Sequence, residues 1–216
     1  TFSIHSPNMD QGFPGDAHIR VTYALDGQGG LHVRYWAKAD QDTVFNMTNH
    51  SYFNLAGHQH PDRAVQQVLS MPARHFCPDD AQNIPTGALR DVAGSPMDFR
   101  VPKPIGQDLD ADYDALKLQG GYDHNWEVFC NPCATLTDPA SGRCLSVYTD
   151  CPGIQFYSGN YLNDQGKDGV FYGRNSGMAL ETQFYPDCLH NPNWAQPVTK
   201  ANTVYRSETV YRFSCK

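Results

Sequence analysis

HIRVTYALDGQGGLHVRYWAKA, residues 18 to 39, decides the fold class. Ile19, Val21, Tyr23 and Leu25 alternate with polar residues up to a Gly-rich turn at 26–30. Leu31, Val33, Tyr35 and Ala37 resume the alternation beyond it. Successive side chains of a strand point to opposite faces. A period of two on both sides of a turn therefore predicts an antiparallel hairpin with one buried face.

Outward from the hairpin, Gly12-Phe13-Pro14-Gly15 reads as a tight turn. Further strands are expected at 43–54, 65–71, 125–129, 144–149, 153–160, 178–183 and 203–213. In the last, Tyr205, Ser207, Thr209 and Tyr211 alternate with Val204, Arg206, Glu208 and Val210. One short acidic helix is expected around 107–118. Long connections at 76–87 and 163–176, both containing Asp and the first also Pro, have the length at which loops often carry function. There is no repeat and no linker. The chain reads as a single domain, 1–216, mainly β, built as a large antiparallel sandwich.

Composition narrows the partners. A net charge of −7 leaves no basic footprint, so neither nucleic acid nor an anionic membrane surface is expected. No apolar run approaches membrane-spanning length, and TFSIHSPNMD lacks the basic-then-apolar pattern of a signal peptide. Of the seven cysteines only Cys130 and Cys133 form a close pair. Zinc sites usually need a second pair, and His58 and His60 are too distant in sequence to be assigned as one. Reduced thiols in a cytoplasmic protein, with no metal, are the expectation.

TNHSYFNLAG, residues 48 to 57, raises the question of function. Run as one strand, 44–55 sends Val44, Asn46, Thr48, His50, Tyr52 and Asn54 to one face. Phe45, Met47, Asn49, Ser51, Phe53 and Leu55 go to the other. The first face is rich in hydrogen-bonding groups and carries no charged residue of the kind that usually faces water. Such a row suits a surface that binds a neutral, polyhydroxylated ligand. It equally suits a buried polar ladder holding two sheets together.

The same stretch closely resembles the histidine motif of the aldose 1-epimerases, the galactose mutarotase family. GFPG at 12–15, GYDHNW at 121–126, QFYSGN at 155–160 and ALETQFYPD at 179–187 agree with that family in order and rough spacing. The resemblance implies an antiparallel β-supersandwich that interconverts the α and β anomers of free hexoses such as galactose or glucose, without cofactor or metal. It makes Glu181 the general base and His50 the general acid, with Asp123 and Gln155 as sugar ligands. Tyr52, two along from His50, is expected in the pocket wall, and Asn49 is taken as a further substrate contact. His124, beside Asp123, is the competing histidine. Trp126, Phe156 and Tyr157 offer stacking area or core, with at least one expected in the core.

Chains of that family are longer. Before the GFPG stretch they carry an Asn-Arg pair and a Leu-His-Gly-Gly segment, which bring an arginine and a second histidine to the sugar. Neither occurs here, so Thr1 is expected to fall partway through the sandwich, lacking its N-terminal part. An N-terminal segment or a second chain would complete the cleft. Cys188-Leu189-His190-Asn191 also departs from the smaller residues usual in the family there. A non-catalytic sugar-binding or regulatory protein on the same fold is the alternative. An epimerase for phosphorylated hexoses would call for an arginine cluster that these motifs lack.

Overall fold

In the computed structural model, which describes residues 1–215, two antiparallel sheets hold most of the strands. The larger has eight strands in the order Phe2–Ser6, Ala17–Leu25, Gly30–Ala39, Val204–Cys215, Arg143–Thr149, Ala134–Thr137, Val68–Ser70 and Lys103–Pro104. The smaller has six: Tyr52–Phe53, Met178–Gln183, Gly153–Tyr157, Asp123–Glu127, His75–Cys77 and Arg90–Asp91. The predicted hairpin is the pair Ala17–Leu25 and Gly30–Ala39, closed with Leu25 opposite Leu31.

The sheets meet through the residues that the alternation sends inward. Val33, Tyr35, Ala37, Leu145, Val147 and Tyr211 from the larger sheet are buried, as are Phe76, Trp126, Ile154, Phe156 and Leu180 from the smaller. Each large apolar side chain taken fully out of water contributes about 1.5–3 kcal/mol. Two of the large polar aromatics in this layer are paired: Tyr211 Oη donates to the Leu180 carbonyl at 2.8 Å, and Trp126 Nε1 donates to that of Met97 at 3.1 Å. The Thr182 and Thr209 hydroxyls bond across the layer.

One predicted strand is not continuous. Of 43–54, only Thr43–Val44 and Tyr52–Phe53 are strands, and they pair with different partners, Val198–Thr199 and Met178–Gln183. Side chains take over the backbone's bonding in between. Asn46 Oδ1 accepts from the Phe184 N–H at 2.9 Å and its Nδ2 donates to the Phe184 carbonyl at 3.1 Å, imitating a strand neighbour. Asn49 Oδ1 accepts from the Ser51 N–H, an Asx turn, and Asn54 Nδ2 donates to the His60 carbonyl. Short polar side chains compete with a β ladder in this way. The polar row is thus divided, with Asn46 and Asn54 holding backbone.

Other boundaries move less. The 65–71 prediction becomes a 3₁₀ turn at Pro61–Gln66 and the strand Val68–Ser70, and the helix is Asp114–Gln119. The connection expected at 76–87 opens inside His75–Cys77, and that at 163–176 holds the small hairpin Asp164–Gln165 with Phe171–Tyr172. All seven cysteines are free. Among the described residues, no helix is long and apolar enough to cross a membrane.

Candidate active site

The outward face of the six-stranded sheet is built by register. Gln155 is directly opposite Glu181 on one side and Asn125 on the other, and Asn125 is opposite Cys77. Side chains two residues along a strand share its face. A second row therefore lies beside the first: Tyr52 opposite Ala179, Ala179 opposite Tyr157, and Tyr157 opposite Asp123. Two carboxylates, two amides and two tyrosines thus lie on one surface, each held by a strand whose alternate residues are in the core.

His50 joins this surface from the irregular segment before Tyr52–Phe53. Its Nε2 lies 3.6 Å from Glu181 Oε1, with the imidazole 51% exposed and the carboxylate 10%. The ring is packed 5.0 Å from Tyr52 and 6.2 Å from Tyr157, centroid to centroid. Gln155 Nε2 donates to Asp123 Oδ1 at 2.8 Å, tying the amide to the second carboxylate. Beyond these two, a cavity of about 270 Å³ extends past Asn125 toward Asp79 and Asn83.

Burial sets the electrostatics. It pushes the Glu181 carboxyl above its ordinary range, opposed by the positive charge His50 can carry and reinforced by Asp123. Asp123 is raised for the same first reason, with the Gln155 bond and His50 pulling the other way. Burial likewise raises the Tyr52 and Tyr157 phenols. A carboxylate held high by burial, beside a histidine open to solvent, is a proton-transfer pair of the type found at active sites.

Of the sequence-predicted residues, His50, Glu181, Asp123, Gln155 and Tyr52 come together. Asn49 does not: its Nδ2 reaches Tyr23 Oη on the larger sheet at 3.4 Å, while its Oδ1 holds the turn. His124 is excluded as the acid. It is buried among Phe76 and Trp126, its Nδ1 accepts from the Asp123 N–H, and burial drives its pKa down to about 4. Trp126 and Phe156 are core, while Tyr157 lies on the cleft face. Asn125 was missed, although it is two residues from Asp123 in GYDHN and parity alone puts it on the same face.

His5, Asp16 and His18 bring possible ligand atoms within 4.8 Å of one another on an outer strand pair of the larger sheet. The exposed Asp16 carboxylate is already bonded by His5 Nε2 at 2.7 Å, and Lys38 is directly across from His18.

On one sheet face of this β-sandwich a histidine and a buried carboxylate lie beside a row of neutral and acidic hydrogen-bonding groups. The chain belongs to the aldose 1-epimerase family, whose model, described as "Aldose 1-epimerase", matches residues 1–212. It is 40% identical to the galactose mutarotase of Rattus norvegicus, over 99% of this chain and 62% of that protein. It is 38% identical to the aldose 1-epimerase of Haemophilus influenzae, over 98% of this chain and 64% of that one. Among solved structures, the galactose 1-epimerase of Lactobacillus acidophilus NCFM superposes with a TM-score of 0.87 at 30% identity. That match covers 99% of this chain and 61% of the other. The chain thus spans about three-fifths of the length of the curated relatives it matches.

Proposed function

We propose that the protein carrying this chain is an aldose 1-epimerase that interconverts the α and β anomers of a free hexose, with Glu181 as general base and His50 as general acid. The observation that carries this reading is the 3.6 Å approach of His50 Nε2 to Glu181 Oε1, on the face that also presents Asp123 and Gln155.

The chemistry needs two proton transfers at oxygens bonded to the same carbon. Glu181 removes the proton from the C1 hydroxyl while protonated His50 delivers one to the ring oxygen. The bond from C1 to that oxygen breaks and C1 becomes an aldehyde. Rotation about C1–C2 presents the other carbonyl face. His50 then takes the proton from the C5 hydroxyl as its oxygen attacks C1, and Glu181 returns its proton to the new C1 hydroxyl. Because both oxygens share C1, acid and base must converge, and the short separation suits that. Positioned proton transfer contributes about 10²–10⁴-fold per group.

Asp123 accepts from sugar hydroxyls in charge-assisted bonds, and Gln155, which fixes Asp123, supplies a neutral contact. Tyr52 and Tyr157 wall the acid's side of the cleft, and both rings pack against His50 and against each other. We place the reaction in the cytoplasm, where a reducing environment suits seven free thiols. Family membership and the names of the relatives support the reaction type.

Polarimetry tests it. Catalytic amounts of the protein should speed the rotation change of freshly dissolved α-D-galactose or α-D-glucose. Sugar binding by calorimetry without any acceleration would instead make the protein a sugar-binding module.

A further inference from the structure

Three of the eight buried side-chain polar atoms without a hydrogen-bond partner among the described residues belong to two neighbours on the cleft face. They are Nδ2 and Oδ1 of Asn125 and Oε1 of Gln155. Asn125 is 2% exposed, and both it and Gln155 line the cavity that runs toward Asp79. Buried polar groups are almost always paired, so an amide with both ends free points to a partner from outside the chain.

The surroundings show why the chain does not satisfy it. On its row, Gln155 commits its Nε2 to Asp123, and Cys77 on the other side offers only a weakly bonding thiol. On the cavity wall, Asp79 is engaged by Gln119 at 2.7 Å. Space for the amide is kept by Gly153, directly across from Glu127 on the adjoining strand. A β-carbon there would run into Asn125 Oδ1 and lie 2.7 Å from the Tyr185 ring. The amide is therefore housed as well as unpaired.

We infer that Asn125 is a substrate-binding residue, its amide donating to and accepting from sugar hydroxyls at the end of the ring away from the anomeric carbon. This rests on the reading that the cleft takes a hexose with C1 at Glu181. Asn125 lies two strand spacings from Glu181, roughly 10 Å. That puts it over the far side of a ring whose C1 meets the carboxylate. A hydroxyl both donates and accepts, so it matches an amide presenting one donor and one acceptor. Gln155 Oε1 accepts a hydrogen bond from the adjacent hydroxyl.

The test is a cycle between Asn125→Leu and the monodeoxy analogues of the preferred hexose, read as kcat/KM by polarimetry. In the unmodified protein, one analogue lacking a hydroxyl remote from C1 should lose about five- to tenfold. Asn125→Leu should lose a similar factor on the parent sugar, mainly through KM, and lose almost nothing further on that analogue. Equal effects of the substitution on every analogue, or none, would overturn the inference and leave ordered water as the amide's partner. Asn125→Thr serves in the same cycle if the leucine variant does not fold. Should the unmodified protein bind sugar without turning it over, the proposed reaction fails and the cycle is read from calorimetric Kd values. Absence of binding overturns both.

Discussion

His50 Nε2 and Glu181 Oε1 face each other at 3.6 Å, yet one comes from an irregular segment open to solvent and the other from the middle of a buried strand. Glu181 is fixed on a strand paired on both sides, whereas His50 is held by aromatic contacts with Tyr52 and Tyr157. The pair unites a rigid carboxylate with a more accessible imidazole.

Glu181→Gln keeps the shape of the base and removes its basicity. The rate of rotation change should fall by about 10²–10⁴-fold while calorimetry still records sugar binding. His50→Gln should cost a similar factor. Under the proposed concerted step, the double variant should be little slower than either single one. Multiplicative losses in polarimetry would show that they do not act together.

The same Glu181→Gln change should stabilise the fold at neutral pH. Burial raises the carboxyl's folded pKa above the unfolded value of 4.5, so the folded state binds more protons in the interval between them. Below 4.5 both states are protonated and there is no penalty. As pH rises through the folded pKa, the unfolded state ionises more readily and stability is lost. The glutamine variant should therefore melt a few degrees higher at pH 7, with the gain vanishing below about pH 4.5 in a pH series of thermal melts.

A second pH effect belongs to the hairpin turn. His32 Nδ1 lies 2.8 Å from Glu208 Oε1 and its Nε2 3.0 Å from Asp26 Oδ2, linking the turn to the final strand. Those two bonds, Glu208's first, raise the His32 pKa above 6.5. Bonds from the Gly30 N–H and then His32 lower Asp26 to about 2. The raised histidine stabilises fully below pH 6.5 and loses this as pH rises past its folded value. The depressed Asp26 stabilises above pH 3.8 and loses this as pH falls toward 2. Relative to His32→Asn, the unmodified protein should have its largest melting advantage between these limits, and a constant difference across pH would contradict the linkage.

Gly153→Ala should damage the site more than the fold class would suggest. The added methyl would displace the Asn125 amide and the Tyr185 ring, which packs on Trp194 at 5.2 Å between centroids. Overpacking of this kind typically costs about 1–3 kcal/mol. A lower melting temperature together with a raised KM is expected. An unchanged KM would mean that the amide relaxes without reaching the sugar.

Much of the fold was legible because each sandwich strand buries one face. The hairpin at 18–39 and the strand Met178–Gln183 follow from alternation or from an apolar run with clear ends. Ala134–Thr137 was not, since four residues hold too brief a pattern to stand out. The segment 43–54 misled for a different reason: asparagine side chains there replace a ladder, reaching Phe184 from far along the chain and His60 just beyond the segment. For the candidate site, the motifs singled out His50, Glu181, Asp123 and Gln155, which the fold brings onto one face. They did not reveal that Asn49 turns toward Tyr23, because its strand parity lapses where the strand itself stops.

The row Glu181, Gln155, Asn125 has a consequence for how this family can vary. Each member owes its position to counting in twos along its own strand, and the row to three strands agreeing on where the count begins. A single residue inserted within Gly153–Tyr157 would turn Gln155 or its neighbours inward and bring Ile154 or Phe156 out. Core and cleft would then exchange residues at once, so a frame error in folding is also an error in chemistry. Length changes are therefore expected to collect in the loops between these strands, where they leave the count untouched.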